Sequence, residues 1–301
     1  MKLIKPSYEI LNQSPGLQGI YEQIELAGRT CYKSTRKEGT TAKDFVDRMI
    51  KSGHGAMLEH GTVYLYGTYD VSAIGSWYHS IGRKYSENKY SIVHTDGKMD
   101  LQGIYVTTNL RVLVENNWLD DLKYLCEPTE FHEKRVTVKF TTSNSIMREF
   151  TRHRSHSFAI ESTRYCNYSK NKFNNEITFI QPYWFTHDCT KKYLNKLNVL
   201  KYTPKDNYTP EENLFLTHLL DVEEKYMGLI NLGLKAQEAR EILPLATKCD
   251  MVMTGFVSDW EHFFDLRARG TTGVPHPDAK ALAEPLMHEF INRNYLDCHS
   301  N

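Results

Sequence analysis

The chain has 301 residues, a hydrophobic content of 40%, and equal numbers of basic and acidic residues, 37 of each. This length allows a substantial buried core, and the zero formal charge excludes the overall basic excess of a non-specific nucleic-acid binder. The six cysteines lack metal-ligand spacing, and neither an apolar signal core nor a run of about 18 apolar residues occurs, which predicts a cytoplasmic protein with free thiols, no membrane segment and no metal site.

The first part of the chain predicts two helices and a strand. Apolar spacing predicts a helix over 20–26 that ends near Gly28, followed by a loop over 29–34. A second helix is predicted over 43–52. Aromatic and β-branched residues over 57–66 then predict a strand.

The middle of the chain loses clean periodicity between Gly67 and Glu133, apart from a helical patch over 110–125. We interpret this stretch, about 67–133, as an insertion or subdomain. Strict alternation over 136–140 predicts a strand, after which Ser143 or Asn144 caps a helix.

The last part of the chain contains clear helix signals. A strand is predicted over 177–180, and a polar linker then leads to Tyr208. Thr209, Pro210 and Glu212 predict the start of a long helix that continues to Gly233.

Further elements complete this part of the chain. A shorter helix over 234–243 stops at Pro244, and an apolar stretch over 249–257 fits a strand. Ser258 to Glu261 is a predicted capping box that opens the next helix. The last helix, over 278–293, contains Pro285 and should bend there. With no convincing linker, the pattern predicts one domain over 1–301 of the α+β class, with helices packed on a mainly antiparallel sheet.

The stretch from Arg152 to Tyr165 holds three arginines and two histidines in an otherwise neutral chain. Arginine forks and the neighbouring hydroxyls suit a phosphate or a carboxylate, although a solvated basic surface has the same composition. A continuing helix would point Arg152 and Arg154 in different directions, whereas an extended segment would put both on one side, opposite His153. The sequence leaves these alternatives open.

The spacing within this stretch is specific: Arg-His-Arg, seven residues, Ser, one residue and Arg-Tyr. This resembles the signature of the flavin-dependent thymidylate synthases. Three further segments resemble the same family, namely Leu58-Glu59-His60, the Ala-Arg-x-x-Leu-Pro segment that contains Arg240, and the Phe-Phe-Asp-Leu-Arg segment that ends at Arg267. Clear resemblance covers about half of the chain.

The resemblance implies reductive methylation of dUMP to dTMP in de novo dTMP biosynthesis. Its implied carbon donor is 5,10-methylenetetrahydrofolate, its cofactor is FAD reduced by NADPH, and its assembly is a homotetramer whose active sites combine residues from different subunits. Small-molecule dUMP and folate are the implied partners, with neither nucleic acid nor membrane. The runner-up is a non-catalytic nucleotide- or RNA-binding protein that uses the basic cluster for phosphates. A histidine-based metal hydrolase using His153 and His156 is disfavoured, because flanking arginines would repel a cation.

The resemblance also implies site residues. The implied dUMP contacts are Glu149, Arg152, Ile160, Glu161, Ser162, Thr163, Arg164, Arg240 and Arg267. The implied FAD contacts are His60, Thr62, Arg152, His153, Arg154, Ile160, Ser258 and His262. Arg267 is the catalytic candidate, because a cation at the N3/O2 edge of uracil would favour the anionic ring and activate carbon C5.

The chain also departs from the family pattern. Glu149 stands where other members often have Gln, and Ile160 stands where a Glu is common. Ser258 and His262 occupy positions at which some members have Arg and Asn contacts to FAD, so the adenine side of the cofactor site is expected to differ. Cys166 lies beside the motif, but we interpret it as structural, because the family does not require a cysteine nucleophile.

Overall fold

The computed structural model describes residues 1–73, 75–187 and 208–297, without the side chains of Tyr78 and His79. Its strands are Lys2–Ile4 (β1), Ser7–Leu11 (β2), Thr62–Asp70 (β3), Ile92–Thr95 (β4), Leu101–Asn109 (β5), Arg135–Ser143 (β6), Ser157–Ile160 (β7), Thr178–Ile180 (β8) and Lys248–Phe256 (β9). Its α-helices are Gly16–Tyr32 (α1), Ala42–Lys51 (α2), Gly55–Leu58 (α3), Ser76–His79 (α4), Ile81–Ser86 (α5), Leu110–Glu115 (α6), Asn144–Phe150 (α7), Pro210–Asn231 (α8), Ala236–Ala239 (α9), Val257–Phe264 (α10) and Pro277–Asn292 (α11). A π-helical turn, Asp265–Arg269, continues α10. The predicted α+β class is confirmed.

A four-stranded antiparallel sheet forms the centre of the fold, in the order β2-β6-β9-β7. Helices α7, α10 and α11 contribute apolar side chains to the core on this sheet, which includes Phe150, Trp260 and Phe290. The Trp260 indole N–H donates to the carbonyl of Val136 at 3.1 Å, so even this fully buried ring has its polar atom satisfied. This core fixes the chain on both sides of the Arg-His-Arg segment.

The stretch that we interpret as an insertion is more ordered than its sequence suggests. Strands β3, β5 and β4 form an antiparallel sheet of their own, with a core that also takes in Ile20 and Ile24 of α1. The predicted helix over 110–125 is wrong in extent, because it divides into α6 and a 3-10 turn over Leu119–Tyr124. The nine-residue strand β5 was not predicted. It is buried on both faces from residue 103 onward, so it lacks the alternation by which a half-exposed strand is recognised.

The predicted end of the first helix at Gly28 is wrong, because α1 continues to Tyr32 and includes most of the expected loop. A Cβ on Gly28 would lie 2.5 Å from the Phe45 ring of α2. Gly28 therefore allows two helices to pack closely and does not stop the helix. The helix ends instead at Lys33, whose φ of 47° is left-handed.

Several helix signals were read correctly. Thr209 and Glu212 form the predicted reciprocal capping box of α8, and Ser143 caps α7. The capping box at Ser258 is wrong: the N-cap of α10 is Phe256, two residues earlier, and the Asp259 carboxylate accepts from the backbone N–H of Phe256 at 3.2 Å. Helix α11 contains Pro285, as predicted, and the bend at this residue stays a prediction. Most of the predicted polar linker, 188–207, lies outside the described residues.

Candidate active site

Arg267 is held in place by two residues, Glu149 and His153, that lie more than 100 positions earlier in the sequence. Its Nη1 donates to the Glu149 carboxylate at 2.8 Å, and its Nη2 donates to the Glu149 carbonyl at 3.1 Å. Its Nε donates to Nε2 of His153 at 3.1 Å. The side chain is only 16% exposed, so the guanidinium is oriented and partly charge-compensated by groups of the chain itself.

His153 supports this arginine as a neutral ring. Its side chain is buried, its ring lies 5.0 Å from that of Phe263, and burial, aided by the charges of Arg267 and His262, lowers its pKa to about 4. Because its Nε2 accepts from Arg267, the proton of the neutral ring is on Nδ1. His153, which was expected beside FAD, therefore contacts the catalytic candidate, Arg267, directly.

The two arginines that flank His153 are both exposed. Helix α7 ends at Phe150, and the chain continues in turns whose backbone bonds run from Arg152 to Glu149 and from His153 to Phe150. Neither the Arg152 nor the Arg154 side chain makes a hydrogen bond or an ion pair with any residue of the described ranges. Both guanidinium groups are therefore available to an anion, with His153 buried between them.

Two of the expected flavin contacts, Arg154 and Ser258, line a cavity of about 770 Å³. Residues of the middle segment also line this cavity, among them Lys89 and Arg111. This volume is within the range that holds small ligands and cofactors. His262 is exposed, and its ring lies 5.9 Å from that of His153.

Two further expected flavin contacts, His60 and Thr62, are buried. Nδ1 of His60 lies 2.8 Å from Oγ1 of Thr254, and burial, reinforced by the charge of Arg135, lowers the pKa of His60 to about 3. Thr62 accepts a hydrogen bond from Nη1 of Arg135 at 3.3 Å. Arg135 lines the same cavity as Arg154 and Ser258. Thr62 therefore contacts a residue of the cavity lining, although it does not line the cavity itself.

The expected phosphate-binding stretch follows β7 directly. Ile160 ends that strand, and the backbone N–H of Ser162 donates to the carbonyl of Cys31 at 2.9 Å. Ser162 and Thr163 are partly exposed. Arg164 is exposed, and its Nε donates to Gln237 of α9 at 3.3 Å. The stretch thus presents two hydroxyls and one guanidinium close together.

Glu161 lies in an ionic cluster that sequence reasoning missed. Its carboxylate, 2% exposed, accepts from Nζ of Lys248 at 2.6 Å, and Lys248 also pairs with Asp250 at 2.9 Å. Lys33, at the end of α1, pairs with Asp250 and lies 3.6 Å from Glu161. Burial lowers the pKa of Lys33 to about 8, although the charge of Glu161 opposes this shift. The cluster links the end of α1 to β9 through Glu161, the residue that immediately precedes Ser162.

Arg240 lies in the 3-10 turn after α9, and its Nε is 3.6 Å from the Glu241 carboxylate. This is the helix-end pairing that a purely structural arginine would make. The side chain is 40% exposed, so the pairing is weak and can be exchanged for a ligand. Within the described residues, no hydrogen bond joins Arg240 to the Arg267 group.

The thiols near the motif are poor nucleophiles. Burial, the main cause, raises the pKa of Cys166 to about 11 and that of Cys249 to about 12. A thiol with such a pKa carries almost no thiolate at neutral pH. The interpretation of Cys166 as structural fits this environment.

Two features are absent from the described ranges, a group of metal-binding side chains and a membrane-spanning helix. The histidines, cysteines and carboxylates of these ranges form no group of three or more that could hold a metal ion. In the same ranges, no helix combines the length and the apolar character that a membrane crossing requires.

Comparison with known proteins gives similarities at the levels of family, sequence and structure. The model of a family described as thymidylate synthase complementing protein matches residues 115–292. The chain is 28% identical over 165 residues to a probable flavin-dependent thymidylate synthase of Paramecium bursaria Chlorella virus 1, which covers 53% of this chain and 69% of that protein. It is 27% identical over 130 residues to a flavin-dependent thymidylate synthase of Haloarcula marismortui, which covers 42% of this chain and about half, 51%, of that protein.

Among solved structures, the chain is similar to the UMP/dUMP methylase PolB from Streptomyces cacaoi bound with 5-Br UMP. The TM-score is 0.42 at 16% identity, with 97% of this chain and 92% of that chain covered. The same methylase bound with 5-Br dUMP gives a TM-score of 0.42 at 14% identity, with 97% and 93% covered.

Proposed function

The chain belongs to the family of thymidylate synthase complementing proteins, whose model matches more than half of it, and on this premise we propose that it methylates dUMP reductively to dTMP. The observation that carries the proposal is the contact of Arg267 with Glu149 and His153. These residues come from two segments more than 100 positions apart, each of which resembles a different motif of the same family. The names of the two sequence relatives support flavin dependence.

Arg267 is the group that would act on the pyrimidine. Its three nitrogens already have partners, so the guanidinium keeps its direction before a substrate arrives, and little reorganisation is needed during the reaction. A uracil ring whose N3/O2 edge replaces the Glu149 carboxylate would meet an oriented cation. That contact strengthens as negative charge develops on the ring, which is the condition for lowering a barrier.

The phosphate of dUMP is assigned to Ser162, Thr163 and Arg164, because two hydroxyls and a guanidinium provide both neutral and charge-assisted donors. Arg152 lies exposed beside the Arg267 group and is proposed as a further anion contact. Glu161 would act indirectly: its pairing with Lys248 fixes the chain immediately before Ser162. Ile160, the last residue of β7, would contribute apolar contact only.

The cavity beside Arg154 and Ser258 fits a flavin dinucleotide. Its volume is sufficient, the Arg154 guanidinium has no partner within the described residues, and a buried Nε of Arg135 on its wall also lacks one. FAD, when bound, supplies the hydride chemistry; NADPH and 5,10-methylenetetrahydrofolate are the proposed sources of electrons and of the carbon unit. In the proposal, this side of the site is supported from outside the cavity lining by His60, Thr62, His153 and His262.

A homotetramer with composite sites is part of the proposal. Arg240 is exposed and only weakly paired, and Arg164 contacts the helix just before it. A ligand bound at the Arg267 group of one subunit could meet the Arg240 of another. This arrangement would explain why the two arginines belong to separate groups within one chain.

Flavin absorbance of the purified protein tests the cofactor assignment. We expect a protein loaded with FAD to show bound-flavin absorbance that bleaches with NADPH and changes on addition of dUMP. Heat-unfolded protein is the control for free flavin. A protein that takes up no FAD would refute the flavin assignment, and dUMP binding without flavin would favour the non-catalytic nucleotide-binding alternative.

A further inference from the structure

Another cavity, of about 610 Å³, lies at the end of α1, where the first residues of β1, β8 and β9 meet. It shares no lining residue with the cavity beside Arg154. Its lining includes one carboxylate, that of Glu176, and five basic side chains, namely Lys2, Arg29, Lys33, Lys172 and Lys248. In a chain whose formal charge is zero, this is a local concentration of positive charge.

Two of the five cations have no carboxylate partner within the described residues. Lys2 is exposed, and its side chain makes neither an ion pair nor a hydrogen bond in those ranges. Nζ of Lys172 donates to the carbonyls of Tyr32 and Lys33, at 3.2 and 3.3 Å. These carbonyls belong to the C-terminal end of α1, which attracts a cation but carries no full negative charge. Both lysines are therefore able to bind an anion.

Arg29 adds to this excess of positive charge. It shares the carboxylate of Glu25 with Arg36, at 2.7 Å from Nη2 of Arg29 and 2.9 Å from Nε of Arg36. One negative charge thus serves two guanidinium groups. The lining carboxylate of Glu176 lies 3.8 Å from the amino group of Met1, which opposes its charge.

The kind of side chain favours phosphate as the anion. Four of the five cations are lysines, which act as point charges, whereas a carboxylate is best held by the planar fork of arginine. Ser34, Thr35 and Thr178 line the same cavity and supply hydroxyl groups. Those of Thr35 and Thr178 make no hydrogen bond within the described residues. The volume is within the range of small-ligand sites and leaves room for more than one phosphate group.

Lys33 and Lys248 connect this cavity to the stretch assigned to dUMP. Both line the cavity, and both approach Glu161, Lys248 to 2.6 Å and Lys33 to 3.6 Å. Glu161 immediately precedes Ser162. A phosphate that draws the two amines towards itself weakens their contact with Glu161, and the Ser162 backbone is then held less firmly. Occupancy of the cavity therefore lowers the affinity for dUMP, and by linkage dUMP lowers the affinity for the phosphate ligand.

We propose that this cavity is a second phosphate site, which binds a ligand with several linked phosphate groups and opposes dUMP binding. The site itself is independent of the proposed function, and only its effect on dUMP rests on that function. A chain of phosphates is the shared chemistry of two sources, a nucleoside triphosphate and inorganic polyphosphate.

Binding of inorganic tripolyphosphate, measured by calorimetry at fixed ionic strength, tests the site. Lys2→Gln combined with Lys172→Gln is expected to raise the Kd about 5- to 30-fold, the effect of losing two exposed charge contacts. Lys5→Gln combined with Lys170→Gln is the matched control, because it removes two exposed charges outside the cavity lining and should leave the Kd unchanged. The same Kd in the wild type and the Lys2, Lys172 variant, or an equal loss in the control, would overturn the site.

Arg164→Gln separates the cavity from the dUMP stretch. This variant should bind tripolyphosphate as the wild type does, since Arg164 does not line the cavity. If it loses tripolyphosphate as strongly as the Lys2, Lys172 variant, the phosphates occupy the dUMP stretch and the second site is refuted. Tighter binding of dTTP than of tripolyphosphate would assign the site to a nucleoside triphosphate, and the reverse would assign it to inorganic polyphosphate.

The effect on dUMP has its own measurement. Tripolyphosphate should raise the Kd for dUMP in the wild type but not in the Lys2, Lys172 variant. A dUMP affinity that is unchanged when tripolyphosphate is bound would overturn the coupling through Glu161. Failure of the wild-type protein to bind dUMP at all would instead refute the proposed function, whereas the tripolyphosphate measurement would still decide the second site.

Discussion

Arg267→Ala is expected to lower kcat for dTMP formation by about 10²- to 10³-fold, the loss typical of removing one oriented donor from developing negative charge. The Arg267 side chain is 16% exposed and bound at three points, so its removal takes away a donor that the fold has oriented. Because Arg267 faces the pyrimidine in the proposal, the Kd for FAD should change little. Turnover and flavin affinity, measured on the same preparation, provide the check.

Arg269→Ala is the matched control for this variant. Arg269 belongs to the same π-helical turn and pairs with Asp265 at 2.7 Å, away from the Glu149 and His153 group. It should retain nearly normal turnover. Normal dTMP formation by the Arg267 variant would refute the activating role, whereas an equal loss in both variants would indicate that the turn matters only for structure.

Acidification is expected to destabilise the protein steeply between pH 6.5 and about 4. Burial lowers the pKa of His60 to about 3, that of His153 to about 4 and that of His156 to about 3. The unfolded chain binds protons at these positions near pH 6.5, whereas the folded chain does not. Their contribution to stability is therefore complete above about pH 6.5 and is lost as the pH falls towards the folded values.

The size of this effect follows from linkage. Each fully depressed histidine costs about 1.4 kcal/mol per pH unit below its unfolded pKa, so the three together cost about 4 kcal/mol per unit. By about pH 5 the loss amounts to about 6 kcal/mol, which would bring a domain at the lower end of the usual range of about 5–15 kcal/mol near unfolding. Denaturant unfolding at a series of pH values measures the slope directly.

His156→Leu isolates one of the three contributions. Nε2 of His156 is buried without a partner, so leucine removes a titrating group at little cost in hydrogen bonds. We expect the acid slope to fall by about one third, or about 1.4 kcal/mol per pH unit. His218→Asn, at an exposed position, should leave the slope unchanged. An unaltered slope in the His156 variant would show that this ring takes up its proton as readily in the folded protein as in the unfolded chain.

How far the sequence predicted this fold is clear from individual residues. Thr209 with Glu212 and Ser143 were read correctly, because capping depends on residues within one turn. Gly28 was misread as a helix stop, since its function is to admit the Phe45 ring from another helix, and no local pattern reveals this contact. The buried strand β5 was missed for a similar reason: burial on both faces removes alternation.

In the candidate site too, local patterns predicted individual residues but not the contacts between distant segments. Motif spacing pointed to Arg267, Glu149 and His153 as separate contacts, but their mutual hydrogen bonds depend on how α7 meets α10 and its π-helical turn. No sequence pattern predicted a role for Lys33 or Lys248, because their contacts with Glu161 form only when the chain folds. Arg135 was likewise invisible in the sequence, since a lone arginine at a strand start shows neither its burial nor its missing partner.

The central claim is flavin-dependent methylation of dUMP, and formation of dTMP tests it most directly. Purified protein is incubated with dUMP, 5,10-methylenetetrahydrofolate and NADPH, with or without FAD, and the nucleotides are separated by chromatography. The account predicts dTMP in the complete mixture, in proportion to the NADPH oxidised, and none after removal of FAD. Absence of dTMP from a mixture whose protein has bound both FAD and dUMP, or equal dTMP formation without any flavin, would contradict it.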